Sequence, residues 1–141
     1  MKPSLFADCA RADLYHLPSS RRREALRAVA QSGLTLRESD LGRCMNAGEA
    51  LTHLGRDLCF PEWYGSNFDA LHDCLGDPEW LGNGQVVVID GLAPLCAKDR
   101  TAFTTLLEVL SSAAESSASS GLPLWIVLDA PAPGVADLPE A

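Results

Sequence analysis

Basic residues are scarce in this sequence, and one long stretch has none. The 141 residues include 11 Lys and Arg against 19 Asp and Glu, so the formal net charge is −8. Between Arg56 and Lys98 there is no Lys or Arg, although seven Asp and Glu residues occur there. The phosphates of a nucleic acid would be repelled by this surplus of negative charge. The composition therefore disfavours direct binding of nucleic acid.

Signals for membrane insertion, export and metal binding are also missing. No apolar run approaches the roughly 18 residues that a membrane helix needs, and the first ten residues lack the apolar stretch of a signal peptide. The five cysteines include no C-x-x-C pair, and no His or Cys pair has zinc-ligand spacing. We therefore expect a cytoplasmic protein with free thiols, no cofactor, no metal and no membrane contact.

Apolar runs that alternate with helical patterns predict the fold class. Residues 86–89 and 124–128 are continuous apolar runs, typical of strands buried on both faces of a parallel sheet. Shorter strands are predicted at 13–17 and 34–36. We predict one compact α/β domain, with a mainly parallel sheet of three to four strands packed with helices.

Polar caps and glycines mark the predicted helices between these strands. Asn46, with Glu49 three residues later, has the pattern of a capping box. Asn67 is a second predicted cap, and Gly76 ends the helix that it begins. Two more helices are predicted, one from Ser19 or Ser20 to Gly33 and one over residues 98–116.

The helix after Asn67 carries an unusual charge pattern. Asp69 and Asp73 are four residues apart and share one face, which costs a few tenths of a kcal/mol through repulsion of like charges. His72 is on the same surface, and Trp63 lies just upstream. Uncompensated carboxylates beside aromatics favour an interface with a cationic protein. An ordinary solvated acidic face, with the aromatics in the core, is the alternative that spacing alone leaves open.

Residues 60–75, FPEWYGSNFDALHDCL, resemble the signature of the barstar family. In that signature, Pro-Glu-aromatic-aromatic-Gly leads into Asn-apolar-Asp-Ala-Leu-x-Asp-Cys-Leu, and the order of elements after residue 34 is also similar. The resemblance implies a barstar-like domain over 34–129, to which residues 1–33 add a strand and a helix. The Pro- and Ala-rich residues 130–141 are expected to be a disordered tail.

The resemblance implies a ribonuclease inhibitor and not an enzyme. In the family, the signature helix and the loop before it plug the active site of a secreted basic ribonuclease, which suggests a monomer forming a one-to-one complex. Asp73 matches a central aspartate that resembles a substrate phosphate, Asp69 a second anion, and Trp63 an aromatic that packs against a catalytic histidine. The implied partner-binding residues are Trp63, Asn67, Phe68, Asp69, His72, Asp73 and Gly76.

Two departures from the founding member of the family concern the target. His72 stands at a position that the founding member fills with tryptophan, which reduces apolar contact area and introduces an imidazole, a group that changes charge near neutral pH. Ser111 or Ser112 falls where an acidic residue of the later helix helps binding. A barstar-like module that binds a basic protein other than a ribonuclease is therefore kept as an alternative.

Two other classes of site are disfavoured by the spacing. His72 and Cys74 flank Asp73 on a helix, where successive side chains point about 100° apart, so they do not form a nucleophile–base pair. His53 and Asp57 stand four residues apart, but two ligands do not make a metal site.

Overall fold

A computed structural model describes residues 5–140 of the chain. Within them, four strands form one parallel sheet in the order β1-β4-β3-β2. The strands are β1 (Leu14–His16), β2 (Thr35–Asp40), β3 (Gln85–Asp90) and β4 (Leu124–Leu128). The helices are α1 (Arg22–Ser32), α2 (Ala47–Asp57), α3 (Phe68–Leu75), α4 (Pro78–Leu81), α5 (Ala93–Lys98) and α6 (Arg100–Ser120). The predicted α/β class and parallel sheet are confirmed.

Helices cover both faces of the sheet, which explains why its central strands are apolar throughout. Along β3, Val87 and Ile89 join a core cluster with residues of α2, α3 and α6. Val86 and Val88 point to the other face, where they pack with residues of α1 and of the chain that precedes β1. A strand between two such layers has no solvent-facing side, so every position in it favours an apolar residue.

The segment before residue 34 is part of this sheet. β1 pairs with β4 from Leu14 opposite Ile126 to His16 opposite Leu128. Arg22, at the start of α1, donates two hydrogen bonds to the Asp90 carboxylate, at 2.7 and 2.9 Å. The strand and the helix expected within residues 1–33 correspond to β1 and α1, and residues 1–4 lie outside the described part of the chain.

The chain after β4 packs against the domain, contrary to the expected disorder. The backbone N–H of His16 donates to the carbonyl of Ala136, and the N–H of Leu138 donates to the carbonyl of His16, both at 2.8 Å. Leu138 is only 2% exposed, in the cluster beneath α1. The buried side chain of Leu138 and the hydrogen bonds to the free edge of β1 thus hold this segment in place, although its Pro- and Ala-rich composition predicted disorder. Residues 132–138 are called the C-terminal strap below, and residue 141 lies outside the described residues.

The remaining differences concern where elements begin and end. The helix predicted over 98–116 corresponds to α6, which begins after Asp99 and continues to Ser120, and the short α5 before it was not predicted. The Asp99 carboxylate caps α6 by accepting a hydrogen bond from the N–H of Ala102 at 3.1 Å. β2 extends to Asp40 because its backbone pairs with β3 along six residues, although its side chains are largely polar. No helix in the described part of the chain is long and apolar enough to cross a membrane.

Candidate functional site

Helix α3 is held at both ends by local hydrogen bonds. The Asn67 side-chain oxygen accepts from the N–H of Ala70 at 2.8 Å, which makes Asn67 the predicted N-cap. At the other end, the N–H of Gly76 donates to the carbonyl of His72 at 3.2 Å. Between them, Leu71 and Leu75 are fully buried in the core. One face of α3 is therefore fixed against the domain and the opposite face meets solvent.

Asp69 and Asp73 lie on the solvent face of α3, where nothing neutralises them. Both side chains are exposed, and neither carboxylate has a Lys, Arg or His nitrogen within 4.0 Å among residues 5–140. The ion pairs found in that part of the chain are His16–Asp137, Arg22–Asp90 and Arg56–Asp57. The two carboxylates are thus available to a cationic partner.

The loop that precedes α3 separates its two adjacent aromatics. Trp63 is 57% exposed, more than any other large hydrophobic side chain in the described part of the chain. Tyr64 turns inward, and its hydroxyl donates to the carbonyl of Leu51 at 2.7 Å, while burial raises the pKa of that phenol. A methyl group at Gly55 of α2 would overlap the Tyr64 ring, so Gly55 allows the ring to lie against the helix.

Phe60 and Trp80 complete the support of this loop. The centroid of the Phe60 ring lies 5.0 Å from the centroid of the Tyr64 ring and 5.3 Å from that of the Trp80 ring. The Trp80 indole N–H donates to the carbonyl of Leu58 at 2.8 Å. Sequence reasoning assigned no role to Trp80, because the partner carbonyl lies 22 residues away and only the folded chain brings the two together. The loop is therefore a packed element that carries one outward-facing indole.

Two non-glycine residues of this loop have left-handed backbone conformations. The φ angles of Cys59 and Ser66 are 56° and 53°. Such conformations cost on the order of 1 kcal/mol or more at non-glycine residues, and they persist where the surrounding structure fixes them. They lie on either side of Trp63, and Ser66 immediately precedes Asn67, the cap of α3, so the strained backbone lies next to the exposed aromatic and the carboxylates.

His72 is tied to α6. Its Nε2 lies 3.2 Å from the Ser112 hydroxyl oxygen, and its side chain is only partly exposed. The sequence placed His72 on the surface of α3 and Ser111 or Ser112 at the position of a missing acid, but a contact across 40 residues depends on how the two helices pack. Of the other predicted residues, Phe68 is half-buried against the core, and Gly76 is exposed at the end of α3.

The chemistry available at this surface is recognition by charge and shape. Cys74 is fully buried, and burial raises its pKa to about 11, so a thiolate nucleophile is disfavoured at neutral pH. No group of three or more His, Cys, Asp or Glu side chains within residues 5–140 is placed to hold a metal ion. The groups that α3 and its loop expose include the Trp63 indole, the Asn67 side chain and the carboxylates of Glu62, Asp69 and Asp73.

Comparison with solved structures shows the fold in a larger protein. The structure of the Aeropyrum pernix ORC2 protein, in ADPNP–ADP complexes, matches 94% of this chain with a TM-score of 0.58 and 16% sequence identity. The chain corresponds to only 37% of that protein. At this identity the likeness concerns the fold alone, and the sequence contains no G-x-x-x-x-G-K-[ST] run of a phosphate-binding loop.

Comparison at the sequence level identifies a family. No curated protein matches the chain. The family model described as Barstar (barnase inhibitor) matches residues 34–129, which is more than half of the chain and contains both α3 and its loop. This chain belongs to the Barstar (barnase inhibitor) family.

Proposed function

We propose that this chain inhibits a basic ribonuclease of the barnase type by inserting the α3 face and its preceding loop into the active site. The observation that carries the proposal is the exposure of Asp69 and Asp73 on one helix face, with neither carboxylate paired to a cation among residues 5–140. Such an arrangement costs helix stability and has no compensating partner in the described residues. A partner with fixed positive charge supplies what the chain lacks.

Asp73 is proposed to occupy the phosphate position of the nuclease site. A site that stabilises a phosphodiester transition state holds preorganised cationic groups. A carboxylate placed among them forms charge-assisted hydrogen bonds, which are shorter and stronger than neutral ones. Asp69, one turn earlier, supplies a second anion to the same cations.

Trp63 is proposed to pack its indole against a catalytic histidine of the nuclease. Tryptophan is among the residues that contribute most to protein interfaces when it fills a desolvated pocket. The loop around it is already held by Tyr64, Phe60 and Trp80, so binding orders little additional chain. A preformed loop loses less entropy on association and binds more tightly for the same contacts.

The remaining predicted contacts complete this surface. The Asn67 amide nitrogen is free to donate because only its oxygen is used in capping α3. His72 and Phe68 present partly exposed rings beside the carboxylates, and Gly76 has no side chain to hinder close approach of the nuclease. In this proposal the inhibitor is a monomer that forms a one-to-one complex in the cytoplasm, and residues 34–129 are the inhibitory unit.

Inhibition of barnase by the purified full chain tests the proposal. We expect stoichiometric loss of ribonuclease activity with a Kd below about 1 μM, corresponding to a binding free energy of about −8 kcal/mol. Asp73→Ala should weaken inhibition by a far larger factor than Glu140→Ala, which removes an equally exposed acid outside α3. Association should slow as salt rises, because screening shortens the reach of the acidic surface. Equal losses at both positions, or no inhibition, would overturn the proposal.

A second candidate is favoured by the two positions where the chain departs from the founding member. His72 stands where the founding member has tryptophan, and its Nε2 lies 3.2 Å from the hydroxyl oxygen of Ser112, one of the two serines at the position of the acidic residue. A basic protein other than a ribonuclease is the partner in this case. Selection of secreted basic proteins on the immobilised chain, followed by a ribonuclease assay of the bound fraction, separates the two: bound protein without ribonuclease activity supports the second candidate.

A further inference from the structure

A groove of about 570 Å³ lies beside the α3 surface, between α6, β1 and the C-terminal strap. Apolar side chains of α6 and β1, among them Leu107 and Leu14, line it. Residues 133–136 of the strap form another wall. β1 and the strap lie outside residues 34–129, so only the α6 wall belongs to the region that matches the family.

The charged side chains around this groove are mostly acidic. Asp13, Glu108 and Glu115 line it with a single cation, Arg100. All four are exposed, and none forms an ion pair in the described part of the chain. Glu108 and Glu115 are seven residues apart on α6, hence on one side of the helix and about 10 Å apart along its axis. An apolar floor with carboxylates at its rim suits Lys and Arg, whose aliphatic stems pack on apolar surface while their charged ends stay at the edge.

The groove is continuous with the α3 surface. Ser112 lines the groove, and its hydroxyl oxygen lies 3.2 Å from Nε2 of His72. His72 stands between Asp69 and Asp73 in the sequence of α3. A partner that covers the carboxylates of α3 therefore has the groove directly beside it, and both surfaces have the same sign of charge.

We infer that this groove receives a second segment of the ribonuclease, a surface loop that carries Arg or Lys outside the nuclease active site. The inference rests on the proposed function, since it assigns the groove to the same partner. It gives the inhibitor two contact regions: α3 and its loop block the catalytic site, and the groove between α6, β1 and the strap holds a neighbouring cationic loop. The groove then contributes to the choice among nucleases that share an active site but differ around it.

Two matched double variants test the charge of the groove, with barnase as the probe. Glu108→Gln with Glu115→Gln removes two groove carboxylates, and Glu24→Gln with Glu38→Gln removes two exposed carboxylates from the opposite side of the sheet. We expect the groove pair to raise Kd about fivefold to tenfold and to reduce the salt dependence of association. The control pair, with the same net charge, should change Kd less than about twofold.

A steric variant tests occupation without changing charge. Thr104 is exposed and lines the groove, so Thr104→Trp partly fills it. We expect weaker binding of barnase with an unchanged thermal unfolding midpoint. In the complex with the unmodified chain, the amides of residues 134–136 should gain protection from hydrogen exchange.

The outcomes separate this inference from the proposed function. If the unmodified chain inhibits barnase and Asp73→Ala abolishes inhibition, while the groove double variant and Thr104→Trp bind as tightly as the unmodified chain, the groove inference is overturned and the proposed function stands. The groove inference is also overturned if the two double variants raise the Kd for barnase equally. It is overturned as well if the groove variants change only the association of the chain with copies of itself, with the Kd for barnase unchanged. Absence of any inhibition by the unmodified chain overturns both.

Discussion

Replacing Asp73 with asparagine should stabilise the free protein and weaken the inhibitor. Asp73 is disfavoured in the free chain for two reasons that the structure makes visible. It lies in the last turn of α3, where the helix end carries partial negative charge, and it follows Asp69 by four residues on the same face. Since no cation of residues 5–140 lies within 4.0 Å of it, nothing offsets either effect.

The magnitude follows from these two interactions. A carboxylate at the negative end of a helix costs about 0.3–1 kcal/mol at an exposed site, and a like-charge pair at this spacing costs about 0.2–0.5 kcal/mol. After allowance for solvent screening, we expect Asp73→Asn to raise the free energy of unfolding by about 0.5–1 kcal/mol. For a domain of this size, that corresponds to an increase of roughly 2–3 °C in Tm.

Asp69→Asn is the matched control, because Asp69 lies in the first turn of the same helix. There the carboxylate interacts favourably with the positive helix end, and this gain roughly cancels the repulsion from Asp73. The free energy of unfolding should therefore stay the same or fall by up to about 0.5 kcal/mol. The two substitutions remove the same charge from the same face, so a difference between them reports on position in the helix alone.

Urea and thermal unfolding in low salt, repeated in 1 M NaCl, measure the stability effect, and barnase titration measures inhibition. The stabilisation by Asp73→Asn should shrink at high salt, where the screening length is about 3 Å. The Kd of the Asp73→Asn variant for barnase should rise by a factor of about 30 or more, since removing one member of a buried interfacial charge pair costs about 2 kcal/mol or more. If Asp73→Asn destabilised the chain and inhibited as before, the assignment of Asp73 to partner binding would be wrong.

Three further predictions concern the support of the site. Trp63→Ala should change the free energy of unfolding by less than about 0.5 kcal/mol while weakening inhibition at least tenfold, whereas Trp80→Ala should destabilise by about 2 kcal/mol or more in urea. Gly55→Ala should displace the Tyr64 ring, which lowers both stability and inhibition in the same assays. Burial raises the pKa of Cys74 from 9.0 to about 11. The unfolded chain therefore loses that proton first as pH rises, and the free energy of unfolding should fall between pH 9 and 11. A variant with Cys74→Ala should show a shallower fall.

The elements that could be predicted from sequence are those whose signal is local. The caps at Asn46 and Asn67 are found where a polar residue precedes a helical pattern, and both side chains accept the expected backbone N–H. The apolar runs of β3 and β4 mark strands buried on both faces. The signature of residues 60–75 located the candidate surface, because the exposure of Asp69 and Asp73 follows from their position opposite Leu71 and Leu75 on one helix.

The features that could not be predicted depend on contacts between distant parts of the chain. The His72–Ser112 hydrogen bond spans 40 residues, and the support of the loop by Trp80 depends on a carbonyl 22 residues earlier. The strap was expected to be disordered because its Pro and Ala content offers little to bury. The strap is nevertheless held against the domain by the buried side chain of Leu138 and by backbone hydrogen bonds to the open edge of β1. The length of β2 was underestimated because it is set by backbone pairing with β3 and not by a run of apolar side chains.

Basic residues are concentrated in the first part of the sequence, away from the stretch that contains the proposed binding surface. Residues 1–56 hold nine Lys and Arg against six acids, and they contribute Arg22, which forms the bidentate pair with Asp90. The stretch that contains α3 and its loop has no cation at all. Under the proposed function, this local excess of negative charge would orient an approaching cationic nuclease toward α3 before contact. Under the proposed function, the charges that neutralise Asp69 and Asp73 come from the ribonuclease, so these carboxylates are compensated only when the inhibitor is bound.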